Sequence, residues 1–164
     1  FLAGAEQARG RYVLLLPADC TFAPHALQEL LALVSNERAP VLVFAKRYAG
    51  AKRMAPYAWL QNLVLLRWMK LASWTNGFVL HRELVPMLAR AAQEHFLNDL
   101  ELSRNVRSQH WHVLEHELSV SPRRYELDGA WRRILLNGVI VVLWQLRLAS
   151  TKSLHAMYLR GKSG

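Results

Sequence analysis

Tyr12-Val-Leu-Leu-Leu16-Pro17-Ala-Asp19-Cys20 is the stretch that decides the fold class. Its first five residues form an unbroken apolar run after Gly10 and Arg11, the pattern of a strand buried on both faces. Pro17-Ala-Asp-Cys20 stops that run in a short polar turn. Pro24 then stands where the first turn of a helix accepts proline, and Ala26, Leu27, Leu30, Leu31 and Val34 mark one helix face. Strand, turn and helix in that order open an α/β unit.

Outward from it, residues 41–45 after Pro40 read as a second strand. Lys46, Arg47, Lys52 and Arg53 around Gly50 predict a mobile basic loop over residues 46–56. A helix rich in Trp, Leu and Met is expected over 56–71. Trp74-Thr-Asn-Gly77 reads as a turn, 78–81 as a short strand and 82–92 as a helix with Pro86 in its first turns. A helix over 99–108, a strand over 111–120 and helices over 130–148 and 151–160 complete the pass. There is no internal repeat and no linker, so residues 1–164 are expected to form one α/β domain with a helical tail from about residue 130.

The chain has 164 residues, is 52% hydrophobic and 20% charged, and carries a formal charge of +9, which excludes a disordered chain. From Leu118 onward, eight basic residues (Arg123, Arg124, Arg132, Arg133, Arg147, Lys152, Arg160, Lys162) face only Glu126 and Asp128. Such a field favours phosphates of a nucleotide sugar, nucleic acid or an acidic lipid surface, or simply keeps the chain soluble. No aromatic–basic stripe or nucleic-acid motif is present, so nucleic acid ranks lowest of the three. Six tryptophans suit a filled core, a ring-stacking surface or a membrane interface. A single cysteine, Cys20, fits a reducing compartment. The apolar run from Ile134 to Leu148 is too short to span a bilayer and reads as a buried or interfacial helix.

Several residues are candidates for chemistry. Asp19 lies just past a strand's carboxyl end, where open α/β sheets bind ligands. A carboxylate there suits a divalent cation completed by phosphate oxygens, or it caps the turn. Asp99 opens a predicted helix, as a general base or as a cap interacting with the helix dipole. Arg123 and Arg124, beside Tyr125, can clamp a pyrophosphate or lie solvated. Trp59, Trp68 and Trp74 suit a sugar face, with core filling expected for at least two. Cys20 reads as a small buried filler. The histidines have no zinc spacing, and no P-loop, Rossmann glycine fingerprint or nucleophile elbow occurs.

In order, these pieces resemble the family-2 glycosyltransferases of the GT-A fold, above all a bacterial subgroup of short single-domain members found beside radical-SAM proteins. Residues 4–10 with the strand and Ala18-Asp19 are similar to that subgroup's Ala-x-Gly, strand, Asp-Ala-Asp passage, with Pro17 in place of the first Asp. Trp74 to Gly77 with His81-Arg82-Glu83-Leu84 resembles the acceptor-site segment. Phe96 to Arg104 resembles the Glu-Asp-x-Glu-Leu segment, with Asn98 in place of the acidic partner of Asp99. Ser121-Pro-Arg-Arg-Tyr125, Gly129 and Leu135-Leu-Asn137 resemble the subgroup's ending.

The resemblance implies a truncated GT-A-like sheet flanked by helices, with the segment that holds the nucleotide base missing before Phe1. It implies an inverting transfer of a sugar from a nucleotide-diphosphate donor to a hydroxyl acceptor. Asp99 is then the base, Asp19 a ligand of Mg²⁺ or Mn²⁺, Arg123 and Arg124 the residues at the donor diphosphate, and Asn76 and Gly77 those on the acceptor side. The expected place is the cytoplasm or the inner face of the membrane, with peripheral membrane contact. The alternatives are a degenerate, non-catalytic relative that binds anionic membrane surfaces, and a nucleotidyltransferase of related fold.

Overall fold

The structure is a computed structural model and describes residues 1–37 and 39–160; Lys162 of the basic tail lies outside the described residues. A short helix α1 (Leu2–Gln7) leads into β1 (Tyr12–Leu15). Only one face of β1 is buried, contrary to the reading of its apolar run: Val13 and Leu15 point into the core while Leu14 is exposed. The reason is topological. The sheet order is β1-β4-β3-β5-β2, so β1 is an edge strand.

The remaining strands are β2 (Cys20–Phe22), β3 (Val41–Tyr48), β4 (Phe78–His81) and β5 (Trp111–Val120). β1 and β3 each pair antiparallel with β4, β3 runs parallel to β5, and β2 pairs antiparallel with β5. The expected strand–turn–helix unit therefore contains an extra strand. β2 carries the chain from one edge of the sheet to the other before α2 (Pro24–Ser35) begins. Pro24 does start α2, behind an extended Ala23, but its buried face is Ala26, Leu30 and Leu33, whereas Leu27 and Leu31 are exposed.

β3 is longer than the apolar run suggests and takes in Lys46 and Arg47, so the basic loop expected from residue 46 begins only after Tyr48. A bulge between Phe44 and Lys46 lies opposite β5. The helix after the loop starts as α3 (Ala55–Leu60) and continues as a π-helix over Gln61–Trp68, ending short of Leu71. Its inward residues are Ala58, Asn62 and Leu66; Trp59 and Trp68 project outward, against the expectation of core filling.

α4 (Val85–Ala91) and α5 (Asn98–Asn105) pack on one another and, with α1, cover one face of the sheet. That face buries Val13, Leu15, Val41, Val43, Phe78 and Leu80, while α2 closes the other over Leu42, Phe44, Val79, Leu114 and Leu118. After β5 come α6 (Arg123–Asp128), α7 (Ala130–Gln145) and α8 (Thr151–Arg160); the short α6, like α1, has no strong signal in the sequence. The tail has its own cluster, Ile140, Trp144 and Leu154 against Leu71 and Leu100. The whole is a mixed α/β sheet flanked by helices, as expected.

Candidate active site

Strand directions bring the candidate residues to one end of the sheet. β1, β3 and β5 point the same way, and β2 and β4 run against them. The carboxyl ends of three strands and the amino ends of two therefore meet. Asp19 follows β1 and precedes β2, residues 49–54 follow β3, Arg123 follows β5, and the 74–77 turn precedes β4. Ala49 N–H donates to Val120 O (2.9 Å), which joins the β3 and β5 exits. Exposed strand ends of this kind form ligand crevices in α/β sheets.

The turn before β4 is built from hydrogen bonds. Asn76 is buried, and its Nδ2 donates to Phe44 O (2.9 Å) while its Oδ1 accepts from Ser73 N–H (3.1 Å) and Ser73 Oγ (3.0 Å). Gly77 has φ 58°, and a Cβ there would lie 3.1 Å from Leu118 Cδ1, so a side chain would strain the backbone and crowd Leu118. Both residues thus shape the turn from within, with the Asn76 amide committed to the protein's own backbone and Ser73.

Asp99 meets this turn from α5. Its Oδ2 accepts from Trp74 N–H (3.1 Å) and its Oδ1 from Leu100 N–H (2.9 Å). Trp74 Nε1–H donates to Asn98 Oδ1 (2.9 Å), and Ser103 Oγ bonds Ala72 on both sides, accepting from its N–H and donating to its O (3.0 Å each). Leu97, just before α5, holds a left-handed φ of 61°, a costly conformation for a branched side chain. Asp99 is partly exposed, yet burial of its carboxyl pushes the pKa above the ordinary aspartate value, against the lowering effects of Trp74, Leu100 and Lys46.

Lys46 is the residue beside the candidate site that sequence reasoning missed, hidden in what reads as a basic loop. Its side chain is buried, and its Nζ donates to Ser73 Oγ and Thr75 Oγ1 (3.1 Å each). Asn62 clamps its backbone, accepting from Lys46 N–H (3.1 Å) and donating to Lys46 O (2.9 Å). Burial lowers the ammonium pKa to about 8, opposed by the charge of Asp99 and then by Cys20. A lone asparagine on the inward face of an apolar helix was the one available signal.

Asp19 is exposed and joins Asp99 only indirectly. The Cys20 thiol lies 4.0 Å from Asp19 Oδ1, Cys20 interacts with Lys46, and Lys46 interacts with Asp99. Burial, then Asp19, pushes the Cys20 thiol up to about 11, which keeps it an inert filler. Among the described residues no three His, Cys, Asp or Glu side chains converge as a metal site. A divalent ion fits at Asp19 only through that one carboxylate and oxygens brought by a ligand.

Arg123 and Arg124 are exposed at the start of α6, where Arg124 Nη1 donates to Tyr158 OH (3.2 Å). Tyr125 turns inward to Tyr48 OH (3.2 Å) and Tyr57, a cluster extended by Gln61 and Asn137. Burial raises the Tyr48 and Tyr57 hydroxyls, which stay protonated. The cluster fastens α6 to the end of β3, close to the basic loop.

Nothing among the curated proteins or the solved structures matches the chain. The sequence model described as Glycosyl transferase family 2 matches residues 1–97, which takes in Asp19, the Lys46 strand and the 74–77 turn and stops two residues before Asp99. With more than half of its length matched, the chain belongs to glycosyl transferase family 2.

Proposed function

We propose that the protein takes part in transfer of a sugar from a nucleotide-diphosphate donor to a hydroxyl acceptor with inversion, as the C-terminal part of a catalytic domain with a helical tail from about residue 130. Family membership supports the donor class, since family-2 enzymes generally use a nucleotide sugar and a divalent metal. The observation that carries the reading is the Asp99 carboxylate, held by the Trp74 N–H at the end of the sheet where three strand ends meet.

In this reading Asp99 takes the proton of the acceptor hydroxyl as that oxygen bonds to the anomeric carbon. The bond from that carbon to the diphosphate oxygen breaks on the opposite side, and a nucleoside diphosphate leaves. Arg123 and Arg124 offset the charge that develops on the diphosphate. Asn76 and Gly77 hold the acceptor-side turn in shape, and Lys46 keeps a positive charge near Asp99. Asp19 is the candidate ligand of Mg²⁺ or Mn²⁺, which when bound neutralises diphosphate charge. A single cysteine suits a cytoplasmic place of action.

The test is nucleoside diphosphate release across a panel of nucleotide sugars. Asp99→Asn keeps one of the two backbone contacts, since its amide nitrogen cannot accept from an N–H, and loses the base, so turnover falls by about two to four orders of magnitude. Unchanged turnover in that variant removes Asp99 from the chemistry. Release of pyrophosphate instead of a nucleoside diphosphate identifies a nucleotidyltransferase. Asp19→Ala weakens donor binding only when Mn²⁺ is present, a difference that titration calorimetry with and without the metal resolves.

A further inference from the structure

The outward face of α7 is an apolar stripe. Trp131, Leu135, Val139, Val142 and Leu146 are between 45% and 79% exposed. At about 100° per residue they fall within an arc of about 80° and run about 22 Å along the helix. Arg133, Ile140 and Trp144, the residues that α7 buries, lie on the opposite side. The helix therefore already has its protein-facing side, and the stripe is a second, unpartnered one.

Charge says what the stripe meets. No charged residue occurs from Ile134 to Leu146, Arg132 and Arg147 stand just beyond its ends, and no Asp or Glu follows Asp128 anywhere in the sequence. The stripe itself offers no acidic residue to the arginines of a second copy. Anionic headgroups attract Arg147 and the basic residues beyond it, and acyl chains cover the apolar residues. Trp131 sits at one end, where an amphipathic ring suits the headgroup boundary. α7 has 16 residues, and no helix among the described residues is long and apolar enough to cross a membrane. The geometry that remains is a helix lying in the plane of the interface.

We infer that the exposed face of α7 is a docking surface for an anionic lipid bilayer, inserted through Trp131, Leu135, Val139, Val142 and Leu146 and held by the basic residues around it. The neighbouring α3 and π-helix add exposed Trp59, Leu63 and Trp68, and Leu65 and Met69 of the same segment pack against the cluster that holds Ile140 and Trp144. None of these exposed side chains is a hydrogen-bond partner of Asp99, so the inference stands apart from the sugar-transfer reading.

The experiment is flotation of the full chain with vesicles of mixed phosphatidylglycerol and phosphatidylcholine, and with phosphatidylcholine alone. The wild type floats with the anionic vesicles, and its tryptophan emission shifts to the blue. The double variant Leu135→Ser, Val142→Ser binds at least about tenfold more weakly. Both residues are exposed, so its thermal melt stays that of the wild type, and Trp131→Phe loses part of the blue shift. Flotation of the double variant at wild-type strength overturns the inference, as does binding that moderate salt abolishes whatever the apolar side chains. A dimer in solution that the double variant dissociates, with no flotation of the wild type, assigns the stripe to a second copy instead. Nucleoside diphosphate release is measured in parallel without vesicles, so loss of membrane binding and loss of transfer are read separately.

Discussion

Around the 73–77 turn, each buried side-chain polar atom has a hydrogen-bond partner. The Asn76 amide serves Phe44 O and Ser73, Asn62 serves both backbone groups of Lys46, and the Lys46 ammonium reaches two hydroxyls. On α7, by contrast, Arg133 is just as buried, but its Nε and Nη1 have no hydrogen-bond partner among the described residues. It has Asp128 Oδ2 at 3.4 Å and the Tyr158 ring 4.0 Å from its Cζ. A satisfied network fixes one geometry, because each alternative arrangement leaves a donor or acceptor bare in a low-dielectric interior. A charge held by a ring face and a loosely aligned carboxylate fixes much less. The two regions should therefore respond differently to losing a polar side chain.

The largest effect is expected in the turn. Asn76→Ala strands Phe44 O and Ser73 N–H in the interior, and about 3 kcal/mol of unfolding free energy is lost, read from the urea midpoint. Asn62→Ala acts in the same range through Lys46. A loss below about 1 kcal/mol in both would show that the network is not what holds the crevice end of the sheet.

Lys46 sharpens the contrast through pH. Its folded pKa is lowered to about 8 from 10.5, so between those values the unfolded chain holds a proton that the folded chain has released. Stability from this group is present above 10.5 and is lost as pH falls through about 8. Compared with Lys46→Met, the wild type gains about 3 kcal/mol as pH rises through that window. The methionine variant also removes a positive charge from near Asp99, whose pKa then rises further. Its pH–rate profile should lose activity at a higher pH on the acid side than the wild type does.

How much of this was legible depended on whether the signal was local. Trp111 to Val120, Phe78 to His81 and the final helix could be read directly, because each is a periodic run between turn residues. β2 could not, since three residues carry no period and its partner β5 is about a hundred residues away. Lys46 was misplaced for a related reason. A lysine among basic neighbours reads as solvated, and only the fold brings Ser73, Thr75 and Asn62 around it. Trp59 and Trp68 erred the other way: size suggested burial, but their positions on the helix face outward. Asp19 and Asp99 were legible as residues, whereas the link between them through Cys20 and Lys46 was not.

Arg133 gives the smallest expected effect and the sharpest test of the comparison. Arg133→Leu removes a buried guanidinium with two bare nitrogens, together with its ring contact to Tyr158 and its ion pair to Asp128. Taking a poorly solvated charge out of the interior is favourable, and the lost contacts are unfavourable by a similar amount, so stability changes by less than about 1 kcal/mol. Asp128 is only partly buried and regains water once its partner is gone. If the variant instead loses as much as Asn76→Ala, the tail is bound to the sheet by Arg133 as firmly as the turn is bound by its amides. A ring face and one imperfect carboxylate would then be enough to lock a buried arginine. The difference between the two regions would lie in which groups make the bonds, not in how tightly they are held.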